Sequence, residues 1–220
     1  MARCKRLFLF CLLLLLLPLP SVAGGKDRLP PGAEKAAVIS AMLQSASVLR
    51  RTNPKPLDAN YGMELTWTDI VQTDPSGRVR VRMNDNSLLS IGSDSQLRIT
   101  SHDPQTRKTR VELAYGLLRA QIRKLNAGEQ FEVRTPTAVA GVIGTDFGID
   151  ASDPQHVKFI CLEGTVQISS TDPTHPETVK CQGGHTVTID KDQAPHAPVD
   201  ADTTQMARWR RITDPDSPDY

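Results

Sequence analysis

Four side chains able to ligate a metal or form a cross-link fall close together in the sequence: Cys161, His175, Cys181 and His185. They contain no Cys-x-x-Cys pair and match no standard zinc spacing, so no metal is expected. The two cysteines leave two alternatives, a disulfide or a pair of buried free thiols. Strand parity favours their meeting, because Cys161 shares a face with Val157 and Phe159, and Cys181 with Val179. A bridge closing a loop of about 20 residues stabilises a fold by roughly 3 kcal/mol when unstrained. Asp146, Asp150 and Glu163 are the acids one could pair for general acid–base work, but two of them sit at turns, where carboxylates cap or solvate backbone. The chain has no Gly-x-Ser-x-Gly elbow, no phosphate-cradling Gly-x-x-x-x-Gly-Lys loop and no His-Glu-x-x-His helix. Neither catalysis nor a cofactor is therefore expected. Gly141-x-x-Gly144 has the spacing of a nucleic-acid-binding loop, but that module needs flanking helices where this sequence predicts strands.

The leader decides the compartment. Arg3, Lys5 and Arg6 precede an apolar run from Leu7 to Leu17, then Pro18, Pro20 and the small-residue site Ser21-Val22-Ala23. This is the layout of a secretory signal peptide spanning residues 1–23, and its apolar run is short for a bilayer span. Cys11 lies within that run as apolar filler. The mature chain is expected in the periplasm or secreted, or anchored to the inner membrane if the leader is not cleaved. With 26 Lys and Arg against 25 Asp and Glu, the near-neutral charge argues against wholesale nucleic-acid binding. An exported chain with one pair of cysteines also suits a disulfide.

Between residues 78 and 190, apolar and polar residues alternate repeatedly, the period of strands buried on one face. In Arg78-Val79-Arg80-Val81-Arg82-Met83 the apolar residues should point inward, and Asn84-Asp85-Asn86-Ser87 turns the chain towards Leu88-Leu89. Further strands are predicted at 97–100, 111–115, 117–123, 131–134, 147–150, 157–162, 165–169, 178–181 and 186–190, separated by Asp-Pro, Asn-Ala-Gly, Glu-Gly and Gly-Gly turns. The fold class is thus all-β. Residues 33–51 are divided: helix propensity and the spacing of Val38, Met42, Ser45 and Leu49 favour a helix, whereas Val38-Ile39 and Val48-Leu49 also suit two short strands. After residue 190 the chain turns polar and proline-rich and reads as a weakly ordered or disordered tail. Within it, Met206 to Ile212 forms a basic and aromatic cluster that suits either docking on a partner or membrane surface or a helical turn packing Trp209 onto the domain.

The most specific segment runs Val133-Arg134-Thr135-Pro136-Thr137-Ala138-Val139-Ala140-Gly141-Val142-Ile143-Gly144-Thr145-Asp146-Phe147, followed by Cys161-Leu162-Glu163-Gly164-Thr165-Val166. It resembles the FecR domain signature, which passes from Thr-Pro through Ala-x-x-Gly-x-x-Gly-Thr-acidic-Phe to Leu-Glu-Gly-x-Val. Upstream, Asp85-Asn86-Ser87 and Leu89-Ser90-Ile91-Gly92 resemble that family's Asp-Gly-Ser and Leu-x-x-Gly segments, with Asn86 in place of the glycine. Downstream, Gln182-Gly183-Gly184-His185 is a looser match. The resemblance covers about residues 36–190, preceded by a flexible segment at 24–35 and followed by the tail at 191–220. It implies a rolled or solenoid-like sheet of many short strands, and it supports the strand reading of 33–51. It also implies kinship with exported parts of transmembrane signalling regulators and other envelope proteins. The chain has little room for the sigma-factor-binding segment or receptor-contacting domain of the signalling members, so direct sigma-factor regulation is not expected.

In physical terms the signature specifies backbone. Pro136 suits a strand end, Gly141 and Gly144 permit positive φ or close packing, Phe147 is a buried anchor, and Thr145 and Asp146 can hydrogen-bond a turn. A minority reading makes the same loop part of a partner-binding surface. Charge supplies a further candidate: residues 78–124 hold ten Lys or Arg against four Asp or Glu. Outward placement of Arg78, Arg80, Arg82, Arg119 and Arg123 would give a basic stripe for anionic envelope polymers, polysaccharide, acidic proteins or lipid headgroups. The alternative is a solvated face that discourages edge aggregation. The sequence thus predicts a non-catalytic binding or regulatory module, acting by protein–protein interaction or envelope sensing, or else by polymer binding through the basic face.

Overall fold

A computed structural model describes residues 29, 32–142 and 144–216; the predicted leader and its cleavage site lie outside the described residues. Seventeen strands and one helix follow in order: β1 (Lys35–Leu43), β2 (Ala46–Arg50), β3 (Asn53–Asp58), β4 (Glu64–Thr66), β5 (Ile70–Thr73), β6 (Arg78–Met83), β7 (Leu88–Ile91), β8 (Gln96–Asp103), β9 (Lys108–Gln121), β10 (Gln130–Arg134), β11 (Ala138–Val142), β12 (Asp146–Asp153), β13 (His156–Glu163), β14 (Thr165–Ser170), β15 (Thr178–Gln182), β16 (His185–Asp190), β17 (Val199–Asp200) and α1 (Thr203–Ile212). The all-β expectation holds. Residues 33–51 form two strands, as the resemblance implied. Alternation in this segment places Ala37 and Ile39 on the buried side of β1 and Val48 on that of β2, so burial outweighs local helix propensity.

All seventeen strands are linked through hydrogen-bonded ladders, but the pairings divide them into two layers. The first runs β4-β1-β6-β7-β9-β12-β13-β16-β17. The second runs β3-β2-β5-β8-β9-β10-β11-β14-β15. β9 belongs to both: residues 108–115 pair with β8 or β10, and residues 116–121 with β7 and β12. Only β9 and β10 run parallel among the described strands. Two separate strands were expected where this one crosses over. The crossing is made at Gly116, with φ +93°, where an added Cβ would stand 2.6 Å from the Asp94 carbonyl oxygen. Only glycine fits both conditions.

Inward residues of the two layers, including Ile39, Leu89, Leu118, Phe147 and Phe159 facing Val71, Leu97, Leu113, Val133 and Ile168, form one buried core. Each such side chain contributes about 1.5–3 kcal/mol by leaving water. The chain passes between layers at both ends of the strands, and successive corners at each end bond to each other. Asp74 N donates to the Ser45 carbonyl at 3.2 Å, Asp94 N to the Asp74 carbonyl at 3.2 Å, Leu117 N to Ser95 Oγ at 2.8 Å and Gly183 N to the Gly164 carbonyl at 2.9 Å. These two columns of corners give the roll its solenoid-like character.

The segment after residue 190, expected as a tail, instead takes up ordered structure as far as residue 216. β17 adds to the edge of β16, and α1 lies on the outer side of the first layer. The helix starts at Asp202, whose carboxylate accepts from Thr204 N at 2.8 Å, and ends at Thr213, whose hydroxyl donates to the Trp209 carbonyl at 3.0 Å. A polar ten-residue helix has little stability of its own, so its order comes from packing.

Candidate interaction site

The signature residues lie at the two ends of β11: Thr135, Pro136 and Ala138 at its turn from β10, and Gly144, Thr145 and Asp146 beside Glu163 and Gly164 at the corner into β12. Thr135 and Ala138 close the β10–β11 hairpin: Thr135 N donates to the Ala138 carbonyl at 2.9 Å and Ala138 N to Thr135 Oγ1 at 3.0 Å. Pro136 rides on that turn, its carbonyl accepting from Thr171 Oγ1 at 3.0 Å. Gly144 and Gly164 both have positive φ, +86° and +83°, and a Cβ on Gly164 would come within 2.9 Å of the Gly144 carbonyl oxygen. The two corners are therefore stacked backbone on backbone. Ala138, Phe147 and Val166 enter the core, Leu162 is buried beneath α1, and Glu163 faces solvent.

Two signature side chains differ from expectation. Asp146 does not close the turn; it accepts from Arg119 Nε at 2.9 Å and Nη2 at 2.7 Å across the β9–β12 pair. This bidentate bond raises the Arg119 pKa above its ordinary value. The Thr145 hydroxyl is buried and makes no side-chain hydrogen bond, while its backbone N and O exchange bonds with Ile122. Asp150 accepts from Ser152 N at 3.0 Å.

The predicted basic stripe is not an open cationic face. Arg78, expected outward, is 1% exposed, and its Nη1 donates to the carbonyls of Arg211 and Asp214 at 3.2 and 3.1 Å. Arg80 pairs with Asp214 and Asp216, Arg119 with Asp146, and Arg123 with Glu129 and, more distantly, Asp85. Arg82 remains exposed. Arg80, Arg82 and Arg119 stand on the outer side of the first layer and Arg123 in the loop after β9, and the C-terminal segment covers and neutralises part of that side.

That segment is anchored by Trp209, buried against Ile160 and Leu162 with Leu117, Met206 and Ile212 around it. Its indole occupies the space that a side chain on Gly148 would need; a Cβ there would stand 1.7 Å from Nε1. The basic and aromatic cluster is thus divided by the helix. Trp209 faces the sheet, while Arg208, Arg210 and Arg211 face solvent and form no ion pair among the described residues. The outward-facing Gly148 on β12 was the sequence signal for a packed aromatic partner.

Cys161 and Cys181 are buried free thiols between the layers, Cys161 Sγ donating to the Gly164 carbonyl at 3.5 Å and Cys181 Sγ to the His185 carbonyl at 3.4 Å. The neighbouring Cys181 thiol, followed by burial, pushes the Cys161 pKa well up. His175 lies 4.0 Å from Glu177 and His185 3.5 Å from Asp200, and neither joins the thiols in a donor cluster.

Sequence reasoning missed a groove of about 770 Å³ on the outer side of the second layer. It runs over β11, with Gly141 on its floor and Gln130, Glu132, Thr165 and Gln167 beside it. Lys108 and Lys180 stand on its opposite flanks.

The fold and signature together define a two-layered all-β scaffold whose motif residues build corners and core. Residues 69–167 match the family model of the FecR protein. That span is shorter than the stretch of motif resemblance, and the family it matches is regulatory and envelope-associated. Two crystal structures of a putative anti-sigma factor from Parabacteroides distasonis ATCC 8503 share the fold, each with TM-score 0.55 and 14% identity over 64% of this chain and 64% of that one. No curated protein matches the chain.

Proposed function

We propose that this chain is an exported, non-catalytic regulatory module that binds an acidic protein partner in the bacterial envelope through the outer side of helix α1. The observation that carries this reading is the helix itself. Trp209 clamps it to a FecR-type roll while Arg208, Arg210 and Arg211, which form no ion pair among the described residues, are held towards solvent on a fixed support. A preorganised cationic surface speeds encounter with acidic partners and needs little ordering on binding. A regulatory role agrees with the FecR match, and the signature side chains are engaged in corners, core and the Arg119–Asp146 pair rather than arranged around a reacting centre. Export rests on the leader, and in an oxidising compartment the two adjacent thiols would close to a disulfide, passing two electrons to a thiol oxidant and releasing two protons. The test is affinity capture with the intact chain from cross-linked envelope extract, analysed for protein and polysaccharide. One discrete protein recovered stoichiometrically supports the reading; recovery of polysaccharide alone contradicts it.

A further inference from the structure

Gly141 lies within strand β11 without a reason in the fold. Its φ is not positive, the ladders to β10 and β14 pass through it in unbroken register, and a Cβ there would meet nothing nearer than the Gln167 carbonyl oxygen at 3.9 Å. Glycine inside a strand weakens it and marks a bulge, a bend, or close approach by a ligand or another backbone. The first two are absent here, and no other backbone of the described residues comes close. Access from solvent is what the missing side chain provides.

The register shows what surrounds that opening. Arg110, Glu132, Gly141, Gln167 and Lys180 form one row across β9, β10, β11, β14 and β15. In the next row Lys108 stands beside Gln130, and Thr165 beside Gln182. With strands spaced about 4.8 Å apart, the walls on β10 and β14 stand roughly 10 Å apart, the breadth of a slot for one narrow chain. Glu132 is held by Lys108, and more distantly by Arg110 at 3.7 Å, whereas Lys180 has no ion pair among the described residues. On these five strands the outward side carries Lys108, Arg110, Arg134 and Lys180 against Glu112 and Glu132, so the slot favours an anion.

The lining also selects among anions. Phe131 reaches the groove as part of its floor but is only 1% exposed, so no aromatic or aliphatic pocket is available to receive peptide side chains. Gly141 lies two strands in from the β15 edge, and no arginine cluster of the kind that captures phosphopeptides lines the groove. What the groove offers is three amides, Gln130, Gln167 and Gln182, each able to donate and accept, beside a free ammonium group. That combination suits a ligand dense in hydroxyl groups and bearing a carboxylate. We propose that the groove over Gly141 binds an acidic saccharide of the uronic-acid type, its carboxylate held by Lys180 and its hydroxyls by Gln130, Gln167 and Gln182.

The experiment is calorimetric titration of the intact chain with hexamers of oligogalacturonate, alginate and hyaluronan, with neutral maltohexaose and hexaglutamate as comparators. At least one acidic saccharide is expected to bind with affinity that falls as salt rises. G141V, whose added methyl groups project into the slot and not into the core, should reduce that affinity by tenfold or more with the thermal melt unchanged or raised. K180Q should weaken it by roughly tenfold through loss of a charge-assisted bond. Should G141V fail to fold, the Q167A/K180Q pair, on exposed positions, carries the same test. Failure of all three acidic hexamers, equal binding of hexaglutamate, or full binding by the folded variants would overturn the proposal. The groove and α1 lie on opposite layers, so saccharide binding should survive charge reversal on α1, and either proposal can fail alone.

Discussion

Replacing Gly148 with alanine should undock α1 while leaving the β roll intact. The new Cβ would stand 1.7 Å from the Trp209 indole nitrogen, so the ring must retreat by about 2 Å to reach van der Waals distance. A tryptophan buries about 150–250 Å², equivalent to about 4–6 kcal/mol at 25 cal/mol/Å², or about 3–5 kcal/mol with a compact unfolded reference. Loss of about 3 kcal/mol of the indole contact shifts the docking equilibrium by roughly a hundredfold. Tryptophan emission should move to the red, with Trp67 as a constant background, and the amides of residues 203–212 should lose hydrogen-exchange protection. The main thermal transition should change little, because alanine is no worse than glycine in a strand. Retained protection in the helix with unshifted emission would refute the packing argument.

Four further outcomes are expected. G116A forces a side chain onto a positive φ and against the Asp94 carbonyl; strain of about 2 kcal/mol should lower the melting temperature by about 4–8 °C, and an unchanged melt would remove Gly116 as the crossing point. D146N leaves Arg119 without its carboxylate and should cost about 1–3 kcal/mol in urea unfolding; no change would mean that the pair is fully solvated in effect. Chain purified from an oxidising compartment should resist alkylation at Cys161 and Cys181 until reduced, and reduction should cost roughly 3 kcal/mol; labelling of both without reductant would leave them as free thiols. The Asp190 pKa is lowered chiefly by its hydrogen bond with His156, and Asp103, Glu129 and Asp172 are lowered by side-chain and backbone bonds. Groups depressed in the folded state contribute stability above their unfolded pKa, so the urea midpoint should fall as pH drops below about 4; a midpoint that rises there would contradict these bonds.

Alternation was enough to place Arg78–Met83 opposite Leu88–Ile91, because one face of each strand is buried and the turn between them is chemically explicit. β9 was divided in two because Gly116 interrupts the alternation, and whether such a break turns the chain back or carries it between layers depends on distant neighbours. Pro54 and Pro56 are turn signals by composition, yet β3 forms the edge of its layer, where a missing donor is tolerated. β11 was hidden by its small residues, whose use lies in core closeness at Ala138 and Ala140 and in the open floor at Gly141. The basic stripe shows the limit of parity most clearly. The period of two fixes which side of a sheet a residue takes, but Asp214 and Asp216 reach Arg80 from more than 130 positions away. The same holds for the tail, whose composition is that of disorder and whose order depends on Gly148, Ile160 and Leu162.

The proposal that α1 meets an acidic protein partner is tested most directly by comparing capture from cross-linked envelope extract between the intact chain and its R208E/R210E/R211E variant. These side chains are exposed, so the variant should fold with an unchanged melt. The account predicts one discrete, protease-sensitive partner retained by the natural chain and lost by the variant. Equal recovery of that partner by both would contradict it.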